Sequence, residues 1–239
     1  MIVICHRHKV IIFLFFITSI VFFYCISVQK KKATLLFSLD YALSKAAQEK
    51  IKNTLTPQVL YQYPAVHVVN MLQQDVPTVD ALSWRYNPLG SAYVRVACHK
   101  PIVQVSFPDK TYVALSSGQL FFSDYYDAGL VSSLPTIHVA QTELRNIHDL
   151  EQFIQGIPRQ FFEEYAVVWH NKTHILIVPR DMHCIQVKTT SDLFCYQALA
   201  PLIQYFCTKI ISDKTKNTYT IDVRFKDYII LSTHKGGVL

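Results

Sequence analysis

No GxGxxG fingerprint, Walker loop, HExxH or GxSxG motif occurs in this chain, and glycine is scarce, with 6 in 239 residues. The sequence therefore lacks the loops that cradle phosphates, the paired histidines of helical zinc proteases and the strained serine turn of α/β hydrolases. There is no CxxC pair either. The six cysteines, Cys5, Cys25, Cys98, Cys184, Cys195 and Cys207, show no spacing that suggests a zinc site or a thioredoxin-like motif. Acidic charge is missing from the N-terminal end, where the first carboxylate is Asp40. Five of the 23 basic residues (Arg7, Lys9, Lys30, Lys31 and Lys32) precede it, so 18 face 17 acidic residues over the remainder. The net charge of +6 is thus local, and no basic stripe for nucleic acid exists beyond it. Internal repeats and low-complexity segments are also absent.

Apolar character is ample, at 51% of residues, which excludes a disordered chain. Its longest concentration is an uncharged run over 10–28. As a helix this run spans about 28 Å at 1.5 Å per residue, the thickness of a bilayer core. Basic residues flank both ends, and no small-x-small cleavage site follows. An uncleaved transmembrane helix is therefore expected over 10–28. Lysine is richer on its far side, which by the positive-inside rule favours a cytoplasmic main domain.

Beyond the run, residues 33–41 read as a strand. Residues 43–55 read as a helix capped by Ser44 and stopped by Pro57, and a second helix is expected over 66–74. Period-two alternation on both sides of Asn87-Pro88-Leu89-Gly90 predicts a β-hairpin that ends at Lys100-Pro101. Short strands are expected over 103–107, 111–115 and 119–122, with a further one near 134–139. A helix at 146–155 precedes an antiparallel meander over 165–169, 173–178 and 184–188. A long helix is expected over 192–211, with Leu193 on its buried side and Pro201 kinking or dividing it. Two strands, 219–225 and 228–231, close the chain before a frayed tail at 233–239.

No catalytic, cofactor or metal residue is assigned. His170 and His174 stand four apart near His183 and Cys184, but Asn171-Lys172 reads as a turn and breaks the helical geometry that would make them ligands together. Ser116-Ser117-Gly118 is turn chemistry with no base to activate a serine. Glu163 and Glu164 are adjacent and diverge. Asn171-Lys172-Thr173 fits a glycosylation sequon, relevant only in a eukaryotic secretory setting. Cys98, Cys184, Cys195 and Cys207 are read as free thiols, since buried free cysteine behaves as a small hydrophobe; pairing in an oxidising compartment stays open.

Several segments in order resemble the bacterial division protein family FtsQ (DivIB), over nearly the whole chain. They are Leu72-Gln-Gln-Asp-Val-Pro77-Thr78-Val79; Arg85-Tyr-Asn-Pro88; Tyr93-Val-Arg-Val-Ala-Cys-His-Lys100-Pro101-Ile102; Thr111-Tyr-Val-Ala-Leu-Ser-Ser-Gly118-Gln-Leu-Phe121; Ser133-Leu-Pro135; and Thr220-Ile-Asp222-Val-Arg224-Phe225. Thr78 stands where the family usually has Trp, and the lysine excess departs from its topology, in which the N-terminus is cytoplasmic.

The resemblance implies an α+β chain with a cytoplasmic segment at 1–9, a membrane helix at 10–28 and a POTRA-like β-α-α-β-β domain at 33–101. A mixed, mostly antiparallel β domain with helices follows at 102–232, then a tail at 233–239. It implies a non-enzymatic divisome scaffold of the bacterial inner membrane, its main domain extracytoplasmic. Its partners would be FtsB/DivIC-like and FtsL-like membrane proteins, with no nucleic acid, cofactor or small-molecule substrate. A partner strand would add at the terminal sheet edge. Arg224 would meet a partner carboxylate, Phe225 would pack on an apolar side chain, and Tyr228 and Ile230 would lie in the augmenting strand. The alternatives are another POTRA-type assembly module and a membrane-anchored hydrolase using the 170–183 region.

Overall fold

Apolar residues at period two in β1 (Thr34–Leu39), β2 (Val79–Tyr86) and β3 (Ser91–Cys98) build a small sheet of order β1-β3-β2. In this computed structural model the described residues are 6–87, 90–140, 147–182, 184–209 and 217–235; of residues 6–13, 29, 31, 209 and 235 the backbone alone is described. The chain divides into Met1–His99 and Lys100–Leu239.

In the first unit β1 runs parallel to β3, and β2 antiparallel to it. Three helices lie between β1 and β2: α2 (Lys45–Thr54), α3 (Pro57–Gln62) and α4 (Ala65–Asp75). The Ser44 hydroxyl accepts from the Ala47 N–H at 3.2 Å, the expected cap of α2. Helix α3 was not anticipated. Pro57 does end α2, but it also opens α3 at the first helical position, where a missing N–H costs nothing, and Thr56 caps that helix by accepting from Val59 N–H at 3.3 Å. Ile51, Leu60, Val68, Leu72, Val79 and Val94 are almost wholly buried between helices and sheet. Burying each such side chain stabilises by about 1.5–3 kcal/mol. At the hairpin, Asn87 N–H donates to Ser91 carbonyl at 2.7 Å and Gly90 takes φ +82°, a region open to glycine. Pro88 and Leu89 lie outside the described residues. Thr78 is fully buried.

The membrane helix expected over 10–28 is corrected. Among the described residues, no helix is long and apolar enough to cross a membrane. The stretch is helical, as α1 (His6–Lys31), and the helix outruns the apolar residues at both ends to take in Arg7, Lys9, Lys30 and Lys31. Its last turns lean on protein. Ile26, Ser27 and Val28 are half-buried, Phe22 and Ile26 border a cavity of about 420 Å³ with Ala33 and Tyr86, and the Lys30 ammonium sits 5.4 Å from the centre of the Tyr86 ring.

The second unit holds a nine-stranded mixed sheet. Its strands are β4 (Val103–Ser106), β5 (Thr111–Ala114), β6 (Leu120–Phe122), β7 (Thr136–Val139), β8 (Tyr165–Asn171), β9 (His174–Pro179), β10 (Ile185–Thr189), β11 (Asn217–Asp222) and β12 (Ile230–Lys235). The spatial order is β12-β11-β10-β9-β8-β7-β4-β5-β6. The β8-β9-β10 meander is antiparallel, whereas β4-β7, β7-β8 and β10-β11 are parallel. The helices α6 (Ile147–Ile154), α7 (Arg159–Glu164) and α8 (Tyr196–Lys209) supply Leu150, Phe153, Ile154, Phe162, Ile203 and Phe206 to the core. There these side chains join Val105, Ile137, Val167, Ile177, Val187 and Ile221 of the sheet.

Several expected boundaries move. The short helix α5 (Ala128–Ser132) occupies a predicted loop, capped by Asp127, whose Oδ1 accepts from Gly129 N–H at 2.9 Å and Leu130 N–H at 3.2 Å. Helix α7 was also unforeseen. The long helix expected from 192 begins only at Tyr196, because Thr190 turns the chain by accepting from Leu193 N–H at 3.3 Å, and Leu193 is exposed rather than buried. Pro201 lies inside α8 without dividing it. Strand β12 runs into the expected tail as far as Lys235.

Candidate docking edge

The ladder that ends the large sheet pairs β11 with β12 antiparallel, from Asn217↔Lys235 to Asp222↔Ile230. Inward of it, β11 runs parallel to β10 and is tied there by a Gln186–Thr220 side-chain hydrogen bond of 2.6 Å. Among the described residues β12 pairs on one side only, so its other side offers a row of unpaired backbone groups.

The chain leaves β11 at Asp222, earlier than the expected end at 225, and the reason is local. Asp222 is buried, and its Oδ1 accepts from the backbone N–H of Arg224 at 3.2 Å, a turn that a short carboxylate side chain closes on its own backbone. The Arg224 guanidinium then folds back onto the same carboxylate, Nε to Oδ1 at 2.9 Å and Nη2 to Oδ2 at 2.6 Å. That fork geometry makes the pair strong for its type. The hydrogen bonds from Arg224 hold the Asp222 carboxyl below the usual carboxylate range, against the opposing effect of burial. Arg224 is therefore tied within its own chain.

The loop beyond presents apolar rings. Phe225 and Tyr228 stack at 4.8 Å between centroids, nearly parallel at 11°. Tyr228, Ile229 and Ile230 follow in sequence at 58%, 48% and 42% exposure, so three large apolar side chains in a row face outward where β12 begins. Tyr228 was expected inside a strand. It lies in the loop that feeds β12, and of the residues expected to contact a partner only Ile230 is in the edge strand itself. Ile229, which the sequence reading did not single out, belongs with them. The apolar doublet Ile229-Ile230 is legible in the sequence, where the run over 228–231 reads as strand.

Near the same corner the rings of His170 and His174 lie 4.6 Å apart, tilted by 36° across the β8-β9 turn. Asn171 Oδ1 shapes that turn by accepting from Thr173 N–H at 2.9 Å and from its hydroxyl at 2.7 Å. Burial, then the nearby His170, Arg224 and Lys188, pull His174 below the ordinary histidine range. Among the described residues no cluster of three or more His, Cys, Asp or Glu side chains could hold a metal. His183 lies outside the described residues. Cys25, Cys184 and Cys195 are free thiols, and Cys98 and Cys207 are buried.

The chain was compared with family models and with curated proteins. None matches it.

Proposed function

We propose that this chain is a non-enzymatic docking scaffold of the FtsQ/DivIB type, which captures an extended segment of a partner along β12. The observation that carries the proposal is the exposed apolar run Tyr228-Ile229-Ile230 at the start of a strand paired on one side only. An edge strand supplies backbone hydrogen bonds for affinity, and side-chain contacts beside it supply selectivity. Natural proteins usually blunt such an edge with charge, proline or a covering element. Here its entrance is lined with apolar side chains instead. Arg224, locked onto Asp222, shapes the loop that displays Phe225 and Tyr228. On this reading the partner is an FtsB/DivIC-like or FtsL-like protein of the division machinery, met on the extracytoplasmic side of the bacterial inner membrane.

Hydrogen exchange of the full chain, with and without the extracytoplasmic segment of such a partner, tests the reading. Binding should slow exchange of the β12 amides beside Ile230, and Tyr228→Lys with Ile230→Lys should remove that protection while leaving the protein folded. Protection elsewhere, with β12 unchanged, would reject the docking edge. A reporter fused after Leu239 and active only in the cytoplasm would reject the division role.

A further inference from the structure

The small sheet of the first unit has one face covered and one face bare. Alternation along its strands sends Val94 and Val96 of β3 inward against the helices and Tyr93 and Arg95 outward. Register then assembles the outer face. Arg85 of β2 lies directly opposite Tyr93, and Tyr93 directly opposite Leu36 of β1; in the next row Ser83, Arg95 and Ser38 align. The six residues line a groove of about 560 Å³. Tyr93 and Leu36 are 56% and 42% exposed, an apolar pair in the middle of the face. Arg85 stands directly across from Tyr93, within about 4.5–5.5 Å at Cβ, and Arg95 is the next residue on the same face of β3, so both arginines adjoin the tyrosine.

The charge of this face is one-signed. No carboxylate stands at any of those positions. The neighbouring acids are already engaged: Asp80 lies 3.6 Å from His99, and Asp40 accepts from Ala42 N–H at 3.1 Å. No ion pair of Arg85 or Arg95 is formed among the described residues. An exposed apolar strip with two uncompensated cations invites apolar side chains flanked by carboxylates.

The form of the occupant follows from what a sheet face provides. A face offers side chains, not backbone donors and acceptors, so an occupant laid on it must already satisfy its own backbone. An α-helix does so. Two interstrand spacings make the face about 10 Å wide, the diameter of a helix with its side chains. Helices already cover the opposite face of the same sheet, the usual way a sheet buries a side.

We infer that the open face of the β1-β3-β2 sheet is a second docking surface, which receives an amphipathic helix of another protein with acidic residues beside its apolar stripe. Tyr93 and Leu36 meet the stripe, and Arg85 and Arg95 meet the carboxylates. This surface is independent of the β12 edge, and neither requires the other.

The probe is a synthetic amphipathic helix with a leucine stripe flanked by glutamates. Controls are the same peptide with lysine for every glutamate, and vesicles of mixed neutral and anionic lipid. Binding to the full chain is followed by amide chemical shifts. The acidic helix should bind saturably, with shifts centred on Leu36, Tyr93 and Arg95. Arg85→Glu with Arg95→Glu should weaken it at least tenfold and should turn preference toward the lysine peptide; thermal unfolding confirms that the variant remains folded. Equal binding of both peptides, shifts centred on an outer strand edge or on another surface, or binding to anionic vesicles alone would each overturn the inference. Tyr228→Lys with Ile230→Lys should leave this binding intact, so a failure at either site is read separately.

Discussion

Arg224 and Asp222, two residues apart at the end of β11, form a forked ion pair at 2.9 and 2.6 Å that also closes the turn leading to the docking loop. A pair of this kind, with the carboxylate buried and the arginine partly so, does more than a surface salt bridge of similar length, which contributes little in water. It ends the strand, sets the direction of the loop and leaves Phe225 and Tyr228 outside.

The first prediction concerns acid stability. The folded pKa of Asp222 lies below its unfolded value, so the pair's contribution is fully present above the unfolded value of about 3.9 and is lost as pH falls through the lower folded value. Asp222→Asn should cost about 1–3 kcal/mol at neutral pH. It should also flatten the acid limb of stability. Urea unfolding of both proteins at pH 7 and near pH 3 measures this, and equal loss at both pH values would contradict it.

A second prediction concerns His174, whose folded pKa is lowered by burial and by its cationic neighbours. For a histidine the unfolded state then takes up the proton first. Stability should fall as pH drops below about 6.5 and level off once the folded form also protonates. His174→Gln should reduce the slope between pH 7 and pH 5. Midpoints of thermal unfolding across that interval provide the test.

Edge binding gives the third prediction. Tyr228→Ser and Ile230→Ser remove exposed side chains, so each should change stability by no more than about 0.5 kcal/mol. Either should weaken partner capture several-fold in an equilibrium binding measurement. Leu231, half-buried against the core, is the contrast: Leu231→Ser should destabilise the second unit itself.

Gly118 supports a fourth prediction. Its φ is +87°, and a side-chain carbon there would collide with the backbone carbonyl of Glu151 in α6. Both the backbone conformation and the space demand glycine. Gly118→Ala should destabilise by more than the ~1 kcal/mol that an unfavourable φ alone costs, because a backbone group cannot swing aside. Gly90→Ala has the same kind of φ but open space around it, and should cost only the conformational part. The difference between the two in denaturant unfolding isolates the steric share.

Most strands were legible in the sequence because their side chains alternate at period two and each is bounded by a turn residue with a stated preference. The hairpin about Asn87 and Gly90, the Ser44 cap and the β8-β9-β10 meander all follow from such local chemistry. The helices α3, α5 and α7 were missed because a segment of five or six residues is too short to show helical periodicity. Their caps were the better signal: Thr56 before Pro57, and Asp127 ahead of Gly129. For the apolar run at 10–28, hydropathy and length alone could not register that Ile26 and Val28 are half-buried in the folded unit.

Local periodicity, turn chemistry and caps are properties of neighbouring residues, and on those the amino-acid order by itself determined which segments become strands and which longer segments become helices. Strand order, and with it which strand is left at an edge, depends on pairings between segments far apart in the chain. Nothing within β11 or β12 states that β11 will lie parallel to β10 or that β12 will be paired on one side. Only the tertiary structure decided that Arg224 is tied to Asp222, that Tyr228 stands outside a strand, and that Arg85, Tyr93 and Arg95 share one bare face. The physical reason is that a hydrogen-bonded register converts distant positions into neighbours, while sequence spacing reports only the near ones.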